Sequence, residues 1–254
     1  MEWAQLFQDE NVVAFILLFI RFAALFMAVP IFAHTSIPVT LKAAMAFFFS
    51  VVFYNSMPEL TIAITVPSLI VAILGELLFG LVIGLVLLLA YHTITFAGGQ
   101  ISFAMGFSMA SAIDPQSGIS MPIISQFLSL IALMVLFSLD MHHWILLFVD
   151  ASLSKIPLGG FLMTPHIFDY VIASASRMFM VGFVIAFPIV ALSWLADVIF
   201  GMLMKTMPQF NLLVIGFPIK IAISFVVLIA TLASMVLILK GEVQGTFNAL
   251  EMLF

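Results

Sequence analysis

Five charged residues sit within stretches that otherwise read as membrane helices: Arg21, Glu76, Arg177, Asp197 and Lys220. Each costs roughly 2.5–3.5 kcal/mol at a lipid-facing helix centre. Together they would cost about 15 kcal/mol if left unpaired in hydrocarbon. A chain carrying them must turn them toward protein, water or one another. Composition leaves few other options. Hydrophobic residues make up 65% of the 254 residues and charged ones only 7%, whereas soluble domains hold about 25% charged residues. The expected fold is all-α, a membrane-associated bundle of kinked and broken helices forming a single domain over residues 1–254.

About six hydropathy peaks follow one another. The first runs from Val12 to Phe32, with Pro30 and Pro38 bracketing a short break. The second, Leu41 to Phe53, is short for a span, which needs about 20 residues. Residues 56–67 read as a loop, with Pro67 in the first turn of the next helix. The third run, Ser68 to Tyr91, is 24 residues long and continues in smaller, more polar residues to Ala110. The fourth, Pro122 to Leu139, stops at Asp140, with a short apolar piece after it, Trp144 to Val149. Thr164-Pro165 reads as a helix N-cap followed by proline at the first helical position. The fifth run, Phe168 to about Leu203, is too long for one straight span, and a kink or break is expected at Pro188. A polar hinge follows at Lys205 to Asn211, then a last run to Leu239 and an amphipathic tail.

The acidic start, with Glu2, Asp9 and Glu10 ahead of any basic residue, lacks the positive n-region of a signal peptide. The first segment is therefore expected to remain as an anchor, with a weak lean of the N-terminus to the non-cytoplasmic side. The isolated Lys155, Lys205 and Lys240 do not set an orientation by loop charge.

The residue types present exclude several chemistries. Seven Lys and Arg leave no basic footprint for nucleic acid. Zero Cys excludes thiolate sites. No phosphate loop, GxSxG or HExxH occurs. His142-His143 beside Asp140 has the wrong spacing for two ligands on one helical face, and His34, His92 and His166 are isolated. No cofactor, metal or catalytic group is expected, and the chain reads as a non-enzyme.

Two stripes point to close helix packing. Glu76, Gly80 and Gly84 recur every fourth residue, as do Gly98, Ser102, Gly106 and Ala110. Small residues at that spacing let backbones approach. The mixed signs of the five charges favour ion pairs that lock helices or subunits over a proton path. Met105, Phe107, Met109 and Met121 flank an Asp114-Pro115 loop. Methionine adapts its shape to varied surfaces. Residues 106–122 are accordingly read as a plug with Gly106 and Gly118 as hinges.

With these residues in view, the sequence resembles the FliR family of flagellar export-gate proteins, and the T component of virulence type III secretion close behind. Arg21, Pro30, Pro38 and Lys42 resemble its opening pattern. Glu76, Gly80 and Gly84 match its ExxxGxxxG, and Ala97-Gly98, Gly106-Phe107 and Asp114-Pro115 match its AG…G…DP stretch. The run KTMPQFNLLVIGFPIK, with Lys205, Pro208, Gln209, Asn211 and Lys220, resembles the PQxN…GFPxK signature. Asp140-Met141-His142-His143 departs from the expected Asn-Gly-His. The resemblance implies a FliP-like part followed by a FliQ-like hairpin. It also implies FliP-, FliQ- and FlhB-like partners, unfolded export substrates, a constricting loop near Asp114, and a place in the bacterial inner membrane at the flagellar basal body. The opposed reading, a secondary transporter, should show inverted repeats with matching breaks, and none is visible.

Overall fold

The computed structural model describes residues 9–34, 36–56, 60, 62–107, 122–207 and 211–254. Among them there is no strand. The helices are α1 (Asp9–Ala28), α2 (Pro30–Ala33), α3 (Val39–Val52), α4 (Val66–Met105), α5 (Ile123–Ser138), α6 (Met141–Lys155), α7 (Pro165–Thr206) and α8 (Phe217–Leu253). A 3-10 turn, Phe53–Ser56, extends α3, and a π-helical turn, Leu212–Gly216, leads into α8. Among the described residues five helices are long and apolar enough to cross a membrane, and six spans result if the bent pair α5–α6 counts as one. That matches the count of hydropathy peaks.

Several local expectations change. Pro188 does not break the fifth run: α7 is continuous over 42 residues. Proline removes one backbone hydrogen bond, but a full break in apolar surroundings would leave several amides unpaired. The piece from Trp144 to Val149 is the middle of α6, not an isolated fragment. The tail after Leu239 continues α8 and buries Val243, Phe247 and Leu250. Thr164 does cap α7, its Oγ1 accepting from the Ile167 amide at 3.4 Å.

The chain divides into two compact units. The first comprises residues 1–89, 136–175 and 243–254. Its core is aromatic. Phe22 and Phe26 of α1 meet Phe49 of α3, and Phe79 of α4 meets Phe148, Phe161 and Phe254. Trp144 of α6 stacks on Phe247 of α8 at 4.1 Å, which holds the tail. Between α5 and α6 the chain bends by 55° at Asp140, which adopts left-handed φ 52°. Aspartate, like asparagine, visits this region more readily than other side chains.

The second unit comprises residues 90–135 and 176–242. Here the C-terminal half of α4 packs on α5. Ser125 Oγ donates to the Thr95 carbonyl at 2.7 Å, and Ser102 Oγ accepts from the Ile124 amide at 3.3 Å. The α7 and α8 segments pair as an antiparallel hairpin: Arg177 meets Glu242, Ser193 meets Ser224 and Asp197 meets Lys220.

Candidate functional site

The buried centre of the first unit is built on Arg21 and Glu76. Neither side chain has accessible surface. Arg21 Nε donates to Glu76 Oε2 at 2.5 Å and Nη2 donates to Oε1 at 2.9 Å. This fork of two parallel bonds from two nitrogens is one that a guanidinium makes and an ammonium, with its single nitrogen, cannot. Nη1 donates to Ser152 Oγ at 3.2 Å, and Nη2 also donates to the Ile156 carbonyl at 3.2 Å. The guanidinium carbon lies 4.6 Å from the Phe79 ring centroid. Glu76 Oε1 accepts a further bond from the Gly159 amide at 2.7 Å. Gly159 has φ 76°, a conformation other L residues rarely take. One charge pair thus ties α1, α4, the end of α6 and the loop after it. A buried pair survives when its remaining donors and acceptors are satisfied, and here they nearly all are.

The Glu76 stripe seats α1 directly. A Cβ at Gly80 would lie 2.5 Å from Ala24 Cβ and 2.9 Å from the Leu25 amide nitrogen. At Gly84 it would strike the side chain and backbone of Ala28. Backbone obstacles cannot rotate away, so the glycines set the distance between α1 and α4. The second stripe does the same in the other unit. A Cβ at Gly98 would lie 2.6 Å from Ser125 Cα.

Of the remaining charges, Lys220 is buried and donates to Asp197 Oδ1 and Oδ2 at 2.7 and 2.8 Å. Arg177, expected to be buried, is not. Its side chain is 66% accessible, and it reaches back to a more covered Glu242, at 2.6 Å from Nε to Oε2. Apolar sequence surroundings place a residue on a helix; they do not say which face of it looks inward.

At the expected plug, Met105 is buried and ends α4, Gly106 takes φ 91° and Phe107 lies 6.3 Å from Phe225, ring to ring. A Cβ at Gly106 would press on the Phe217 ring. Met109, Asp114, Pro115, Gly118 and Met121 lie outside the described residues, as do Ala110 of the second stripe and Pro208 and Gln209 of the signature loop. Lys205 is exposed in the last turn of α7, and Asn211 Oδ1 accepts from the Val214 amide at 3.3 Å. Among the described residues no three His, Asp or Glu side chains gather as metal ligands.

Sequence reasoning missed Ser152, Phe79 and Gly159 as partners of the charge pair. Gly159, beside Gly160 after Pro157, was the one with a visible signal, a turn composition.

Comparison with known proteins agrees in scope with this whole-chain architecture. The model of the family described as "Bacterial export proteins, family 1" matches residues 12–246. The flagellar biosynthetic protein FliR of Bacillus subtilis is 33% identical over 244 residues, covering 94% of this chain and 93% of that one. FliR of Aquifex aeolicus is 24% identical over 96% of this chain and 94% of its own. FliR of Escherichia coli is 24% identical over 80% of this chain and 78% of its own. With buried charges, glycine stripes and apolar helices spread along the matched length, the chain belongs to the FliR family of bacterial export proteins.

Proposed function

We propose that this protein is a non-enzymatic subunit of the flagellar type III protein export gate in the bacterial inner membrane. In that role it joins FliP- and FliQ-like subunits around a pore for unfolded flagellar proteins and engages an FlhB-like subunit. Its relatives carry the name of flagellar biosynthetic proteins across nearly the whole chain. The observation that carries the reading is helix length. Helices α4, α7 and α8 have 40, 42 and 37 residues. At 1.5 Å per residue each runs about 55–65 Å, roughly twice the hydrocarbon of a bilayer. Apolar side chains along such lengths need protein as well as lipid to cover them. Exposed Phe179, Met180, Phe187, Trp194, Val226 and Ile229 on the α7–α8 hairpin supply that surface, which supports a FliQ-like hairpin packed among like subunits.

Residues 106–122 serve in this proposal as the plug, bounded by the helix end at Met105 and the positive φ of Gly106. Deletion of the gene should abolish swimming and the secretion of flagellar subunits, with assembly of the basal body arrested. Complementation by the full chain should restore all three, and the tagged chain should co-purify with gate subunits. A motile deletion strain, or a chain that purifies as a lone transporter of a small solute, would overturn the reading. Shortening the segment between Ser108 and Ser120 should leave assembly intact and raise ion leakage. Unchanged permeability in a correctly assembled mutant gate would remove the plug.

A further inference from the structure

The Arg21 and Glu76 side chains have no accessible surface, so their bonds to the protein replace water at any depth in a membrane. The ion pairs of the α7–α8 hairpin are not free in this way, because each keeps one member open. The Arg177 side chain is 66% accessible and that of Asp197 54%. An open charge is costly in hydrocarbon and escapes that cost in water or among lipid headgroups. Each pair therefore marks an aqueous boundary on the hairpin. Arg177 bonds Glu242 and Lys220 bonds Asp197, so the same two boundaries are marked on both helices. Between them, residues 178–196 of α7 and 221–239 of α8 carry no charge. At 1.5 Å per residue the markers stand about 30 Å apart along α7 and about 33 Å apart along α8. The hydrocarbon of a bilayer is about 30 Å thick.

The surface between the markers fits acyl chains. Phe183, Phe187 and Trp194 of α7 and Val226, Ile229 and Leu237 of α8 are exposed there. Polar groups inside the stretch find partners on the hairpin itself. Ser193 Oγ lies 3.3 Å from Ser224 Oγ, and Thr231 Oγ1 donates to the Val227 carbonyl at 2.8 Å. Trp194 and the exposed Lys240 stand next to opposite markers, where an indole and a long ammonium side chain favour the membrane interface. We infer that the α7–α8 hairpin crosses the hydrocarbon of one bilayer between its two ion pairs, with Arg177–Glu242 in one headgroup zone and Asp197–Lys220 in the other. The inference deepens the membrane placement proposed above and rests on it, not on the gate's activity. A like subunit packed against one side of the hairpin leaves this register unchanged.

The chain has no cysteine, so a nitroxide can be attached to single cysteines placed at exposed positions. Ser176, Phe187 and Met202 serve on α7, and Ile219, Ile229 and Lys240 on α8. The full chain is reconstituted without other subunits in liposomes of phosphatidylethanolamine and phosphatidylglycerol. Power saturation then compares the contact of each nitroxide with oxygen, which concentrates in hydrocarbon, and with a water-soluble nickel chelate. Oxygen contact should dominate at Phe187 and Ile229, and nickel contact should rise at the four outer positions. The double variant Asp197→Leu/Lys220→Leu strands no charge and lengthens the uncharged stretch, so the oxygen maximum should move toward Met202 and Ile219. Strong nickel contact at Phe187 and Ile229 would make the stretch a water-lined face and overturn the inference. Weak contact with both reagents there would mean that protein covers it and would overturn it too, as would an unmoved maximum in the double variant. Cell fractionation separates this from the wider reading. A wild-type chain in the soluble fraction would overturn the membrane placement itself, whereas a chain in the membrane fraction with a displaced maximum would overturn the register alone.

Discussion

The two units carry charge in different ways. In the first, Arg21 and Glu76 are wholly enclosed, with direct bonds to Ser152, Ile156 and Gly159 and the Phe79 ring against the guanidinium. In the second, each ion pair keeps one exposed member, Arg177 at 66% and Asp197 at 54% accessible. An enclosed pair is strongly coupled to the fold, since either charge left alone has no water to fall back on. A half-open pair loses little in the isolated chain and gains weight only when something covers it. The first unit is therefore read as a finished core, and the hairpin of the second as a surface whose electrostatics await a neighbour.

The largest effect that tests this contrast comes from removing one partner of the enclosed pair. Arg21→Met should destabilise the chain by about 3–5 kcal/mol, the usual cost of stranding a buried charge. Thermal unfolding in detergent would measure it. The double variant Arg21→Met/Glu76→Leu should recover much of that loss, because neither charge is then left unpaired. The Gly159 amide loses its acceptor in the double variant, so recovery should be incomplete. A single variant as stable as wild type would mean the pair is not the keystone described above.

Next in size is the packing stripe. Gly84→Leu forces a side chain into the Ala28 backbone, and Gly80→Leu into Leu25. Overpacking of this kind costs about 1–3 kcal/mol or more. The same substitution has no meaning at the exposed Leu81, where Leu81→Ala should change stability by less than about 0.5 kcal/mol. If Gly84→Leu accumulates and unfolds like wild type, α1 does not sit where the glycines place it.

How much of this was legible in the sequence depends on whether a feature is local. The apolar runs gave the helices because hydrocarbon tolerates no unpaired backbone, and the glycine spacing gave a packing face. The bend at Asp140 was visible as a polar interruption, although the identity of the left-handed residue needed the backbone. The partners of Arg21 were not legible: Glu76, Ser152 and Gly159 come from three distant segments, and several carboxylates were equally available by type. Arg177 was placed in the interior because its neighbours in sequence are apolar, yet its face of α7 is open. Kink and break were both left open at Pro188 because local propensity was weighed without the cost of breaking a helix where no water can solvate the ends; the helix is continuous.

A smaller effect belongs to Asp197. Asp197→Asn keeps the shape but leaves the buried Lys220 ammonium with a neutral acceptor. Hydrogen bonds to charged groups contribute about 1.5–3 kcal/mol, and the exposure of Asp197 lets water replace part of that. A loss of about 1 kcal/mol is expected in detergent-solubilised chain, with Asp197→Leu costing more. Identical costs for Asp197→Asn and Arg21→Met would erase the distinction between open and enclosed pairs.

The smallest effect is also the one that most sharpens the comparison. Arg177 is mostly accessible, so its pair with Glu242 is screened like any surface pair, and such pairs contribute about 0–1 kcal/mol. In the isolated chain Arg177→Gln should therefore shift stability by no more than about 0.5 kcal/mol, and added salt should shrink even that. Yet Arg177 stands on a long apolar helix among exposed Phe179, Met180, Phe183 and Val184, a surface that water does not favour. If another subunit covers it, the guanidinium loses its solvent and the pair with Glu242 becomes an enclosed one. The same substitution should then cost several-fold more in the assembled complex than in the isolated chain, and its salt dependence should disappear. Comparing Tm for Arg177→Gln in the two preparations measures the covering directly. Equal small shifts in both would show that this face of α7 stays open after assembly, and the hairpin would have to meet its neighbours through α8.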